Sequence, residues 1–476
     1  MSKTLFNSSE KSNFILNMTE EKYSSIASKV LMAMCLMVSL FTIPAECIES
    51  IGFPIISAGL AISGVVCLIL ALIAIIKKFV DKKMLFPVCA FGVMLLWGII
   101  SLINSYSVTI SFYGSDGRGE GLLALIFYFG FFITGLTIKH EKALLTFIGG
   151  IIGTGILNSV WALIQIFIGK PSNFKYVSTD IQINAASGLS QSPIFLAMLL
   201  TLSLTAAIIC SIMSQSKRNR IICIICSCLF SFVMMFTYSL VGICGIAFAV
   251  IASIITAFIA KAPKIRLLGI LSIILPAVAS VILASSGIVG AANSYRLYDG
   301  RIMWWDSYMR LSTSGIYNHD AVDADDTIDV YSFLNEKTLN IIQKYPLTGT
   351  GPEQLVYPQL YSSSKIDENI GTFDKNYNEY LYTASTRGVP SLIALIAVLA
   401  STLIISLKKL RKNTKSSSEV TFFFLLIGGI ALFFIGCSNI SFSPIFWAAA
   451  GASCSVMIPN SSAKKINKQV TKSETK

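Results

Sequence analysis

Arginine set beside aromatic or acidic residues recurs at the ends of apolar runs in this chain. Arg118 and Glu120 occur in FYGSDGRGEGLL, Arg301 precedes the Trp304 and Trp305 pair in DGRIMWWD, and Arg387 closes the run NYNEYLYTASTR. A guanidinium is permanently charged and forks two hydrogen bonds onto a phosphate, so the set suits an anionic ligand. Ionisable groups at a membrane boundary are costly to hold, and each Arg taken singly also reads as an interfacial anchor. The Trp pair taken alone reads as an anchor at the membrane interface.

Other chemistries find little material. There are only two His, His140 in the turn KHEK and His319 in a polar stretch, and neither has a partner at a useful spacing. That argues against a metal-dependent or triad-type hydrolase site, so no metal and no cofactor is expected. The 11 Cys lie in or at the edges of apolar runs, which argues against a disulfide scaffold in the polar regions. Cys223, Cys226 and Cys228 read as small packing residues within IICIICSCLF.

The elements that must position these residues are membrane helices. The chain is 54% hydrophobic and 13% charged, and its apolar runs are continuous rather than alternating. Roughly twelve runs approach the ~20 residues that cross a bilayer. They cover about 24–45, 53–76, 84–103, 120–138, 144–168, 191–213, 221–238, 241–260, 267–289, 388–407, 420–437 and 441–458. The fold class expected is therefore all-α: a polytopic membrane protein with about twelve transmembrane helices and one large extracytoplasmic loop containing short helices. Helices 1–9 fill 1–289, the loop 290–387 carries the site, helices 10–12 fill 388–458, and 459–476 is a basic tail.

The net charge of +12 is distributed around the spans, which argues against nucleic acid as a partner. With the amino terminus inside, 26 of the 37 Lys and Arg fall in inner segments, so both termini are expected to be cytoplasmic and the long loop outside. No cleavable signal peptide is expected, because a polar stretch precedes a full-length first span. Three outer segments, 104–119, 169–191 and the long loop, are placed to converge on one site.

Residues 293–388 hold 13 of the 25 acidic residues. Within them Val330, Phe333, Leu334, Thr338, Ile341, Ile342 and Tyr345 fall near helical spacing, with Asp325 or Asp326 available as a cap. Such a helix either lies on the membrane surface or packs over the bundle. The preceding stretch NHDAVDADDTID reads as a solvated insertion, since its spacing does not follow a calcium loop.

FYGSDGRGEGLL, GLSQSPIFLAML, GRIMWWDSYM, KYPLTGTGPEQ and FDKNYNEYLYTASTRGVPSLI, in this order between about residues 100 and 400, resemble the O-antigen ligase and O-antigen polymerase superfamily in its Gram-positive branch. The resemblance implies an inverting, metal-independent glycosyltransferase of the GT-C class in the cell membrane. Its partners would be an undecaprenyl-diphosphate-linked oligosaccharide, a glycan or cell-wall acceptor and the lipid bilayer, with room for other polysaccharide-assembly membrane proteins. By resemblance the loop Arg before Trp falls on Arg301, and the glycine turn falls on Pro346, Gly349, Gly351, Pro352 and Glu353. The family's His-Asn-Glu-Tyr-Leu falls on Tyr377, Asn378, Glu379, Tyr380 and Leu381, so Tyr replaces the His that activates the acceptor. A Ser-Arg pair falls on Ser239 and Leu240, so a second Arg is also replaced.

The site expected from the resemblance has Arg301 and Arg118 on diphosphate, Tyr377 and Glu379 facing the acceptor, Trp304 and Trp305 as sugar platforms or interfacial anchors, and Glu120, Gly349, Gly351, Asn378 and Arg387 around the substrate. A Tyr with a reference pKa of about 10 is a poor base at neutral pH, which leaves Asp374, Glu379 or Glu120 as candidates for the proton acceptor. Two other functions stay open: a divergent member that binds lipid-linked glycan without catalysis, and a transporter or flippase of the same substrate. The absence of an internal repeat and the uncharged spans weigh against transport.

Overall fold

A computed structural model describes residues 18–40, 55–115, 118–168, 175–177, 182–190, 192–261, 263–285, 330–357, 375–412 and 416–455. In chain order its helices are α1 (Glu20–Leu40), α2 (Ile55–Ile76), α3 (Leu85–Ile100), the short α4 (Val108–Tyr113), α5 (Leu122–Leu136), α6 (Glu141–Ile168), α7 (Pro193–Met213), α8 (Lys217–Met235), α9 (Leu240–Ile259) and α10 (Pro263–Ser285). They continue with α11 (Val330–Lys344), α12 (Glu379–Arg387), α13 (Val389–Lys412), α14 (Ser417–Leu432) and α15 (Ser443–Cys454). Among the described residues, eight helices are long and apolar enough to cross a membrane, and α5, α14 and part of α10 are shorter apolar helices. This is a multi-pass membrane protein.

One element departs from an all-helical expectation. Lys175–Val177 (β1) and Gln182–Asn184 (β2) pair antiparallel, with Tyr176 opposite Ile183. Three-residue strands are too short to leave a period-two pattern in sequence.

The bundle is built around α7, whose apolar window is 89% buried. It packs against α6, α8, α9 and α14, while α5 is sandwiched between α2 and α15, and α13 lies along α3. Lipid tails impose no penalty on outward-facing Ile62, Leu72, Leu96, Ile99, Ile393 and Ile404, which are all exposed. What distinguishes the interior is close approach and internal hydrogen bonding. Gly135 on α5 faces the Ala448 carbonyl, and Gly451 on α15 faces the Phe132 carbonyl, leaving no room for a side chain at either.

A polar stripe on α6 anchors the chain just ahead of α7. Asn158 Oδ1 accepts from Leu189 N at 3.0 Å and Ser190 Oγ at 3.1 Å. Gln165 Oε1 accepts from Ser187 N at 3.0 Å and Gly188 N at 2.8 Å. Buried loop groups need partners, so these two amides fix the course of residues 187–190 ahead of α7.

The expected amphipathic helix is α11. Leu334, Thr338 and Ile341 are buried, and Asn376 Nδ2 donates to Thr338 Oγ1 at 2.8 Å, so this face packs over the segment leading into α12. Asp325 and Asp326 lie outside the described residues.

Candidate functional site

Four separate segments meet at one end of the bundle. The chain from Asn104 to Gly121 touches the turn after α11 through Ser111 Oγ, which donates to the Pro352 carbonyl at 3.0 Å, and through Gln354 Nε2, which donates to the Ser107 carbonyl at 3.0 Å. That turn in its own right lies on α12: Thr350 N and Gly351 N donate to the Ser385 and Thr386 carbonyls at 3.0 and 2.9 Å. The loop from Phe433 to Phe442 closes the fourth side, where the Phe433 carbonyl accepts from Glu379 N at 2.8 Å. Of the outer segments expected to converge, 104–119 and the long loop do so. Of 169–191, residues 187–190 are instead tied to α6, and Ala186 N donates to the Phe236 carbonyl.

The sequence PLTGTGPE is what this packing requires. Gly349 has φ +65 and its Cα faces the Thr386 carbonyl, so a side chain would be both strained and blocked. Gly351 (φ +97) lies against Ser111. Glu353 adopts φ +59 although it is not glycine. A left-handed residue of this kind costs on the order of 1–3 kcal/mol and persists only when its surroundings hold it.

The surroundings of Glu353 are a buried charge cluster. Ser115 Oγ donates to its Oε2 at 2.7 Å, and Tyr382 OH donates to its Oε1 at 2.8 Å. Lys375 Nζ lies 3.6 Å from Glu353 Oε1, forms an ion pair with Glu120 Oε2, and donates to the Ser438 carbonyl at 2.9 Å. Glu120 Oε1 accepts from Tyr128 OH at 3.0 Å. A second pair stands beside them: Arg387 Nη2 is 3.1 Å from Glu379 Oε1 and 2.8 Å from Thr383 Oγ1, while Ser438 N donates to Glu379 Oε2 at 2.7 Å. With Arg118, whose charge acts on Glu353 and Lys375, the cluster holds three carboxylates and three cations.

The two carboxylates that share Lys375 respond in opposite directions. Burial raises Glu120 above the ordinary carboxylate range, Lys375 opposes this, and the charges of Glu353 and Glu379 add to it. Burial acts on Glu353 too, but Lys375, Arg118 and the hydrogen bonds from Ser115 and Tyr382 outweigh it and lower the carboxyl. For Lys375 burial disfavours the charge, yet the two carboxylates hold its ammonium above the usual lysine value. Tyr382 is raised by burial and by Glu353, so it stays a protonated donor.

A small cavity opens against this cluster. Its lining includes Glu120, Glu353, Glu379 and Arg387 together with Met94, Leu125, Leu395 and Trp447. Its volume of ≈ 30 Å³ accommodates a water or a hydroxyl, not a sugar ring. Residues 224–396, from within α8 into α13, match the family model described as O-antigen ligase. Over that stretch the chain is similar to the O-antigen ligases. A search of curated proteins found no match. The O-antigen ligase match takes in the glycine turn, Lys375, Glu379 and Arg387, and stops short of the Phe433–Phe442 loop. It begins after Arg118 and Glu120, so the structure joins to the matched region two residues that lie outside it.

Measured against the residues singled out in sequence, Arg118, Glu120, Gly349, Gly351, Glu379 and Arg387 come together. Asn378 is present but its side chain caps α12, accepting from Tyr380 N and Leu381 N at 3.1 Å each. Tyr377 is 9% exposed and belongs to the hydrophobic core. Ser239 caps α9 through Gly242 N at 3.1 Å, with Leu240 as that helix's first residue. Arg301, Trp304, Trp305 and Asp374 lie outside the described residues. Sequence reasoning missed Lys375, Tyr128 and Tyr382. The nearest signal was a lysine inside FDKNYNEYL, in a loop expected on the side that carries few of them; nothing local pointed to Tyr128.

Proposed function

We propose that this chain is an inverting, metal-independent glycosyltransferase that polymerises or ligates an undecaprenyl-diphosphate-linked oligosaccharide on the outer leaflet of the cell membrane, for a cell-surface polysaccharide. The acceptor is a glycan or cell-wall hydroxyl. The topology that goes with this reading has twelve crossings, both termini in the cytoplasm, and 290–387 as the extracytoplasmic loop.

The observation that carries the reading is Glu120, a buried carboxylate with a raised pKa on the wall of a hydroxyl-sized cavity, inside an O-antigen ligase-type bundle. Of the three carboxylates the sequence left open as proton acceptor, Asp374 lies outside the described residues. Glu120 and Glu379 both line the cavity with both oxygens engaged, Glu120 by Tyr128 and Lys375 and Glu379 by Arg387, Thr383 and the Ser438 amide. Glu120 is favoured because burial and the neighbouring glutamates raise its carboxyl, which suits it to take up a proton. As the acceptor oxygen bonds to the anomeric carbon, its proton passes to Glu120, and the sugar's bond to diphosphate breaks with its electron pair leaving on the phosphate oxygen. A positioned base gives roughly 10²- to 10⁴-fold in such a step.

Arg118 and Arg301 are assigned to the departing diphosphate, where one positioned donor is worth about 3–4 kcal/mol of transition-state stabilisation. Arg387 fixes Glu379, and the Gly349 to Glu353 turn holds the entrance. Trp304 and Trp305 are assigned to sugar contact or interfacial anchoring. Deleting the gene tests the reading: long polymer should be lost while carrier-linked single repeats accumulate for a polymerase, or free polymer should remain unattached for a ligase. Normal attached polymer would contradict it.

A second reading has one observation in its favour. The family's acceptor-activating His is Tyr377 here, packed in the core, which suits a divergent member that binds lipid-linked glycan without turning it over.

A further inference from the structure

We propose that Lys375 is a positioning residue for the proton transfer, keeping the Glu120 carboxylate ionised and aimed into the cavity until the acceptor hydroxyl is in place. The inference rests on Glu120 being the proton acceptor. Lys375 is 2% exposed, in the short segment that leads into α12. Its ammonium is held by the Glu120 carboxylate, by the Ser438 carbonyl at 2.9 Å and by Glu353 Oε1 at 3.6 Å. The rings of Phe195 and Tyr382 lie 5.7 and 5.6 Å from Nζ, placing α7 and α12 on either side of the charge. A cation held from so many directions does not swing out to a substrate. It acts through the carboxylate it touches.

The groups facing Glu120 come from every neighbouring element. Tyr128 on α5 donates to Oε1, Glu353 approaches from the glycine turn, Glu379 from α12, and Cys437 from the loop after α14. Arg118, two residues away, acts on Glu353 and Lys375. Burial and the two other glutamates favour the protonated form, in which Glu120 accepts nothing. Lys375 is a cation in contact with this carboxylate, and it pulls the other way. The same lysine bridges 115–121, 345–357, α12 and the Phe433–Phe442 loop, so charge and geometry of the site depend on one ammonium.

The test uses the full-length protein in lipid nanodiscs. The protonated-carboxyl infrared band that E120Q removes is titrated in wild type, K375R and K375Q. Turnover of carrier-linked repeats isolated from a strain lacking this chain is followed across pH in parallel. K375Q should raise the band's midpoint and the acid limb of turnover by about one pH unit or more, the size expected for losing an opposite charge in contact, while K375R stays near wild type. Where K375Q does not fold, K375Q/E353Q is compared with E353Q alone, so that the lost Glu353 charge is common to both and the upward difference in midpoint and limb reports the ammonium. If E120Q abolishes the acid limb but neither Lys375 variant moves midpoint or limb, this inference is overturned and the role of Glu120 stands. If E120Q leaves the limb in place, both fall.

Discussion

Glu379 and Arg387 are the first and last residues of α12, and their side chains meet at 3.1 Å along its length. Helical side chains lean toward the amino terminus, so Arg387 reaches back past Thr383, four residues earlier, to Glu379, eight earlier. The pair sets the helix that presents the site and lies at the cavity wall. Removing one member of a buried pair leaves an uncompensated charge and costs about 3–5 kcal/mol. R387A and E379A should each lower the fraction of protein surviving a graded heat step, whereas E379Q/R387Q should recover much of the loss. Equal heat resistance in R387A and wild type would contradict the role given to this pair.

Gly349 is expected to tolerate no side chain. At φ +65, with the Thr386 carbonyl against its Cα, alanine should cost at least about 1–3 kcal/mol. G349A should reduce folded protein in membranes, measured by detergent-solubilised monodisperse yield. A G349A protein as well behaved as wild type would mean the turn can shift.

Tyr377 is treated as a packing residue. Y377F should keep activity within a few-fold, because the ring fills the core, while Y377A should destabilise by about 3–5 kcal/mol as other buried aromatic deletions do. Polymer length in complemented deletion strains and heat resistance together decide it. A large loss in Y377F with the fold intact would return proton chemistry to the phenol.

The opposite shifts of Glu120 and Glu353 give stability a distinct pH dependence. Glu353 is lowered in the fold, so its contribution is present above the unfolded carboxyl pKa of about 4.3 and disappears as pH falls through its folded value. Glu120 is raised, so its contribution is complete below about 4.3 and is lost as pH rises through its folded value. The heat resistance of wild type relative to E120Q should therefore fall as pH increases from about 4.3, and that relative to E353Q should fall as pH decreases below it. A difference from E120Q that is flat across this range would contradict the shift at Glu120.

Much of the bundle could be read from apolar runs alone. The run 191–213 became Pro193–Met213 and 241–260 became Leu240–Ile259, because length and continuous apolarity determine a membrane helix more than any partner does. Periodicity likewise located α11, where Leu334, Thr338 and Ile341 form the buried face. Asn378, placed around the substrate by resemblance, has its side-chain oxygen on the first amides of α12, and an Asn ahead of Glu-Tyr-Leu is also an N-cap signal. The cluster was harder for a physical reason. Lys375 and Glu120 are 255 residues apart, and an ion pair across the fold leaves no spacing to detect. Only the convergence of four segments reveals that the lysine is buried and that Glu120 and Glu379 share the wall of one cavity.

The account's central claim is that Glu120 takes the acceptor proton, and single-turnover transfer from carrier-linked repeats by E120Q, with folding verified, tests it most directly. The expected result is a fall of roughly 10²- to 10⁴-fold with the acid limb of the pH profile gone. Transfer within a few-fold of wild type, with that limb retained, would contradict it.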